Sequence, residues 1–223
     1  MSETDSFIDE VTEEVRRDRL FAIFRKYGWI GILTIVVIVG GASWTEWKKA
    51  KAEAAAQSFG DALVAAMTNN DSAARAKALT DVAAGDQIAG SPGRAAVAAF
   101  LLSAEAEASG DRAGAVAALK TVLDDSDLAP LYRDLAQLKI LILDGATMDA
   151  AARDQALAAL ATPGAPYRTL AMEQQALLLL EVGKTDEAIT LFSAIAEDAD
   201  VAQSQRGRIG QILIALGADT AEG

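Results

Sequence analysis

The sequence contains no cysteine and no histidine, and aromatic residues make up only 5% of it. Without cysteine there is no disulfide framework and no lipid-modified N-terminal cysteine. Zinc and haem centres nearly always draw on His or Cys, so neither is expected. Most general-base and nucleophile schemes are closed for the same reason. Positive charge is also short: 20 basic residues face 32 acidic ones, a net charge of −12. Phosphate contacts need a basic surface, so nucleic acid is not an expected partner. There is no Gly-rich phosphate loop, no GxSxG elbow and no metal-ligand spacing. Carboxylate pairs such as Asp124-Asp125 and Glu13-Glu14 are adjacent in sequence, and adjacent helical residues do not converge on one site. No enzyme, no cofactor and no small-molecule substrate is therefore expected.

What is abundant is alanine, the best helix former, whose small side chain lets helices pack closely. β-Branched residues are scarce beyond the first 47 positions. The remaining stretch of about 175 residues suffices for one domain with a continuous core. Residues 48–223 carry 15 basic and 24 acidic residues, a solvated balance of −9. Composition predicts an all-α fold.

The strongest local signal is Tyr27 to Thr45, YGWIGILTIVVIVGGASWT, 19 residues without a charge between Lys26 and Glu46. As a helix this run is about 28 Å long, close to the ~30 Å hydrocarbon core of a bilayer. Ile30, Ile32, Leu33, Ile35, Val36, Val37, Ile38 and Val39 leave no polar face. Tyr27 and Trp29 at one end, with Trp44 and Trp47 at the other, are the expected membrane-interface anchors. Gly40-Gly41-Ala42 satisfies a signal-peptidase rule, but the preceding region and the apolar core are both too long for a cleaved signal. Residues 27–47 are thus expected to be an uncleaved transmembrane anchor. Arg16, Arg17, Arg19, Arg25 and Lys26 precede it, against Lys48, Lys49 and Lys51 after it. That bias keeps the short tail, residues 1–26, in the cytoplasm and exports residues 48–223.

Within the tail, Ser6 and Asp9 resemble a capping box, and Ile8, Val11, Val15 and Ala22 fall on roughly one helical face. Such a helix either docks a partner or rests on lipid headgroups. In the membrane run, Gly31, Thr34 and Gly41 form a stripe of small residues without a full GxxxG.

Beyond Trp47, helical stretches alternate with breaks at 69–71, 85–93, 110–111, 124–130, 145, 162–166 and 183–184, each rich in Gly, Pro, Asn or Asp. Eight helices in four hairpins are expected. Leu170 to Asp200 is the clearest hairpin: Gly183 ends one helix, Thr185, Asp186 and Glu187 start the next, and Ala188 and Phe192 give A-x3-F. This resembles the second half of a tetratricopeptide repeat. Ala115 and Leu119 after Gly110-Asp111 repeat it more weakly. The turn glycines Gly110, Gly145 and Gly183 are 35 and 38 residues apart, against a family period of about 34. The first-helix Trp, Gly and Tyr signature is missing, so the repeats are degenerate.

The expected architecture is one transmembrane helix followed by an α-solenoid of tetratricopeptide-like hairpins over residues 48–217, with a disordered tail at 218–223. A stack of such hairpins presents a concave face made by first helices. Register with the turn glycines puts Phe100, Glu107, Tyr132, Lys139, Glu173 and Leu177 on that face; the apolar ones are either groove or inter-repeat core.

Phe24-Arg25-Lys26-Tyr27-Gly28, Trp44-x-x-Trp47, and the helix holding Gln57, Ser58, Phe59 and Leu63 carry a further resemblance. With the degenerate hairpins after them, they resemble the YfgM-like family, ancillary subunits of the SecYEG translocon in Gram-negative bacteria. The resemblance implies an inner-membrane protein with a periplasmic repeat domain. It also implies translocon subunits, a membrane-anchored periplasmic chaperone and exported client proteins as partners. The longer acidic-then-basic tail departs from that pattern. Two other functions stay open: a scaffold of another envelope complex, in outer-membrane assembly or cell division, and a regulator that sequesters a cytoplasmic partner through residues 1–26.

Overall fold

A computed structural model of the chain describes the backbone of residues 3–218 and the side chains of residues 25–218 except Ile32. Nine α-helices occur among the described residues and no strand does. They are α1 (Glu3–Met67), α2 (Ser72–Ala83), α3 (Pro92–Ala108), α4 (Arg112–Leu123), α5 (Pro130–Asp144), α6 (Ala150–Leu160), α7 (Arg168–Glu181), α8 (Thr185–Ala196) and α9 (Gln203–Ala215). A 3-10 turn, Asp86–Ile88, sits in the α2–α3 link. The chain falls into two compact units, Met1–Gln57 and Ser58–Gly223.

In the first unit, α1 runs on through Trp47 and Lys48 without a break. It already begins at Glu3, so Ser6 lies inside the helix and does not cap it. The stripe Ile8, Val11, Val15 and Ala22 lies outside the described side chains. So does the greater part of the C-terminal tail, residues 219–223, lie outside the described residues.

The second unit alternates two kinds of helix start. α3 and α5 open on Pro92 and Pro130, where a missing N–H costs nothing and φ is preset. α2, α4 and α6 open on aspartate caps. Asp71 accepts from the Ala74 N–H at 2.7 Å, Asp111 from Gly114 at 2.9 Å and Asp149 from Ala152 at 3.0 Å. A Cβ at Gly114 would meet the Asp111 carboxylate as it is placed here, whereas the equivalent position of the other two caps holds Ala74 and Ala152. From α2 to α9 each helix packs on its neighbours in chain order.

The apolar interior is a series of clusters, each built by consecutive helices. Phe59, Val82 and Ala98 join the end of α1 to α2 and α3. Ala96, Ala99, Val116, Leu119, Ala136 and Ile140 join α3, α4 and α5. Leu138, Leu141, Leu157, Leu160 and Ala171 join α5, α6 and α7. Ala176, Ala188, Phe192, Ile195, Ile209 and Leu213 join α7, α8 and α9. The A-x3-F pair expected from sequence, Ala188 and Phe192, is fully buried in the last cluster. Ala115 and Leu119 are likewise fully buried.

Two expectations need correction. From residue 48 onward there are nine helical stretches, not eight, because a break at residues 197–202 releases α9. That break holds neither Gly nor Pro; Asp198 makes it by accepting from the backbone N–H of Asp200 at 2.9 Å. The turn glycines also differ in kind. Gly110 and Gly183 have φ of 81° and 77°, the left-handed conformation that closes a helix. Around them Asp111 N–H donates to the Ala106 carbonyl and Lys184 N–H to that of Leu179, both at 2.8 Å. Gly145 is right-handed at φ −55°, and a Cβ there would collide with the Leu141 carbonyl oxygen. The third left-handed repeat glycine is Gly217, φ 74°, which follows Gly183 by 34 residues. α9 therefore ends as α3 and α7 do, and it stands in the place of a first helix.

Gly183→Ala forces an L-residue into the left-handed region and should cost about 1–2 kcal/mol. Gly60→Ala, in a helix interior where a Cβ meets nothing within 4 Å, should add about 0.5–1 kcal/mol. Urea denaturation followed by circular dichroism measures both.

Candidate protein-interaction surface

First and second helices are buried differently. α3, α5 and α7 each serve two clusters from opposite faces: α3 gives Ala98 to one and Ala99 to the next, and α5 gives Ile140 and then Leu138. α4, α6 and α8 each serve one cluster and leave the rest of their surface to solvent.

Burial on two sides makes any charge on a first helix expensive unless it is paired. Glu105 on α3 is 7% exposed. It accepts Arg75 Nε at 2.6 Å, Arg75 Nη2 at 2.9 Å and Ser72 Oγ at 2.7 Å, all from α2. Arg75 also donates to the Asn69 carbonyl at 2.7 Å, tying the α1–α2 turn to α3. Hydrogen bonding from Arg75, then from Ser72, holds the Glu105 carboxyl below its ordinary value, against the opposing effect of burial.

Glu173 on α7 repeats the device toward α9. It accepts Arg208 Nε and Nη2, each at 2.7 Å, and Gln205 Nε2 at 2.9 Å. Gln205 in turn accepts from Thr169 Oγ1 and donates to the Thr169 carbonyl, both at 2.9 Å. Arg168 at the start of α7 donates to Asp198 at 2.7 Å and Asp200 at 3.1 Å in the α8–α9 link. Asp198 titrates below its ordinary value, first through the Asp200 N–H and then through Arg168.

The six residues expected on a first-helix face divide accordingly. Phe100 and Leu177 are half-buried against the apolar clusters. Glu173 is 4% exposed and committed to α9. Tyr132 is 40% exposed, and Lys139 approaches Glu107 at 3.9 Å, a long contact between half-open side chains. Tyr132 and Asp134 lie near the Tyr167 phenol, which is pushed up by its burial first and by those two neighbours second. Only Glu107, Tyr132 and Lys139 of the six keep polar surface for a partner.

Sequence reasoning missed the open side of the domain, which lies on the second helices. A cleft of about 450 Å³ is lined by Arg153 and Asp154 of α6, Leu178, Leu179 and Val182 of α7 and its cap, and Leu191 of α8. Val182 is 67% exposed beside it. A smaller cavity of about 100 Å³ between α5, α6 and α7 shares Arg153 and Leu178. A third, of about 420 Å³, lies along α4. The available signal was Val182 itself, an apolar residue placed directly before a turn glycine. Among the described residues no group of three or more acidic side chains is placed to hold a metal ion.

In the first unit the four anchor residues are exposed: Tyr27 51%, Trp29 62%, Trp44 57% and Trp47 55%. The Trp44 and Trp47 rings lie 5.3 Å apart. Lys26, Lys48 and Lys51 sit over Tyr27, Trp44 and Trp47 at 5.5, 5.5 and 5.6 Å. Each such contact is worth about 0.5–1 kcal/mol at an exposed site. Between them Ile35, Val36, Val37, Ile38 and Val39 are all exposed. By length and composition α1 contains a stretch able to cross a membrane. Thr34 returns its hydroxyl to the Ile30 carbonyl at 2.8 Å, which removes its polarity from the helix surface.

A family profile described as a tetratricopeptide repeat-like domain matches residues 24–218. No curated protein and no solved structure matches the chain.

Because the folded pKa of Glu105 and of Asp198 lies below the ordinary values of 4.5 and 3.8, their contribution is complete above those values. It is lost as pH falls through the folded pKa. Thermal midpoints should therefore drop on acidification below about pH 4.5, and Glu105→Gln should lower the neutral-pH midpoint while flattening that acid limb. Circular dichroism melts between about pH 7 and pH 3 test both statements.

Proposed function

The chain belongs to the tetratricopeptide repeat-like domain family, and from that premise we propose a membrane-anchored protein-interaction module that holds segments of other proteins on its second-helix side. Domains of this family mediate protein–protein interaction. The observation that carries the reading is the uncovered apolar cleft formed by Leu178, Leu179, Val182 and Leu191. Its four apolar residues are rimmed by Arg153, Asp154, Gln175 and Lys184, the make-up of a recognition site.

The anchor is residues 27–47, an uncharged run flanked by lysine-capped aromatic rings, as a membrane interface favours. The Lys and Arg bias supports a cytoplasmic tail and a periplasmic helical domain. An α-solenoid built of hairpins suits that domain, since its core clusters follow one another along the chain. The resemblance to ancillary SecYEG subunits points the module toward the translocon, a periplasmic chaperone and exported clients.

A photo-crosslinking amino acid in place of Val182, in the full chain in its host membrane, tests this. Adducts with translocon subunits or exported proteins are expected, with strong loss in a Leu191→Asp background and none from a control at Lys77. Adducts confined to other envelope proteins would overturn the translocon assignment. Equal labelling from Val182 and Lys77 would overturn the cleft.

A further inference from the structure

The cleft along α4 differs in charge from the rest of its unit. Residues 58–223 hold 12 basic and 23 acidic residues, a net charge of −11. Most of those cations are engaged. Arg75, Lys77, Lys139, Arg153, Arg168, Lys184 and Arg208 lie in ion pairs, and Arg206 is held by the Ala196 and Asp198 carbonyls. Arg94 and Arg133 are half-buried. Arg112 and Lys120 are exposed and, among the described residues, in no ion pair.

Both line the same cleft of about 420 Å³, whose floor is Ala113, Val116 and Ala117. Asp144, the one acid in its lining, already accepts from Thr147 Oγ1 at 2.7 Å. Among the described residues, two cations outside any ion pair thus bracket this floor on an otherwise acidic surface. Their positions, eight residues apart on one helix, set them about 12 Å apart along its axis.

We propose that the α4 cleft docks an acidic amphipathic helix of a partner protein, with two carboxylates seven or eight positions apart facing Arg112 and Lys120. The spacing of the cations selects acids two helical turns apart in the partner. Ala113 and Ala117 are exposed and keep the floor low, so that a second helix can approach with its apolar side on them. A neutral or basic partner meets two unpaired cations on desolvation and is disfavoured. The acidic remainder of the domain repels an acidic partner elsewhere and so confines it to this cleft. The inference rests on the reading of the domain as a protein-binding module, but it concerns a different cleft from the one between α6 and α8.

The test uses three labelled 16-residue helical peptides with one Leu/Ala face and two Glu, two Gln or two Lys placed seven apart. Binding to the full chain in detergent is read by fluorescence anisotropy at low and at high salt. The Glu peptide should bind about tenfold tighter than the Gln peptide at low salt and lose that margin at high salt. Arg112→Glu/Lys120→Glu should abolish the Glu preference and favour the Lys peptide, while Arg112→Lys/Lys120→Arg keeps the Glu preference. Three peptides binding alike, no peptide binding, or a Glu preference that survives charge reversal would each overturn the proposal. Those outcomes leave the Val182 crosslinks intact, whereas loss of the crosslinks with a retained Glu preference would strike the α6–α8 cleft alone.

Discussion

Burial of the first helices on two opposite faces is the constraint from which the domain follows. A helix between two cores has little room for large side chains on both, which explains why α3, α5 and α7 place Ala98, Ala99, Ala136, Ala171 and Ala176 at their contacts. Alanine carries the close approach, and Phe192, Leu119 and Leu157 on the second helices fill what remains. The same constraint dictates the polar chemistry. Glu105 and Glu173 sit where an unpaired carboxylate is not tolerated, and each is met by a two-pronged arginine from a neighbouring element. These acids specify which helix packs on which; they are not available to a partner.

What the first helices give up, the second helices keep. With one buried face each, α4, α6 and α8 stand apart and leave clefts whose floors reach the first helices or the apolar side of α4 itself. From α2 to α9 each helix packs on its neighbours in chain order, so the surface between second helices can vary with little effect on the core. The chain spends its second hydrophobic resource on residues 27–47. Each exposed Ile or Val there forgoes about 1.5–3 kcal/mol of burial, which a bilayer would restore.

Much of this was legible in the sequence because its causes are local. Turn residues located every break but one, and the A-x3-F pair Ala188 and Phe192 identified the repeat from spacing alone. The missed break at residues 197–202 is made by the Asp198 side chain, through the Asp200 N–H and through Arg168 thirty residues upstream; its local mark was the Asp198-x-Asp200 pair, with neither Gly nor Pro beside it. Gly145 was misjudged because glycine marks both a left-handed cap and a crowded right-handed turn, and only φ separates them; Gly217, left-handed, was not singled out. The expected groove failed at Glu173 for a related reason: register locates a face, whereas burial depends on α9, whose existence was not foreseen. The clefts were harder to read because a gap between packed helices depends on their relative placement, which residue spacing along one helix does not fix.

We propose that the helical interaction domain is held at a membrane, on the opposite side from residues 1–26. The lack of any native cysteine makes a direct measurement possible. Single-cysteine chains carrying Ser204→Cys or Ser2→Cys are exposed to a membrane-impermeant maleimide in cells whose outer envelope has been permeabilised. Ser204→Cys should label in these cells, and Ser2→Cys only after the inner membrane is broken. Labelling in the reverse order, or recovery of the chain in the soluble fraction, would contradict the proposal.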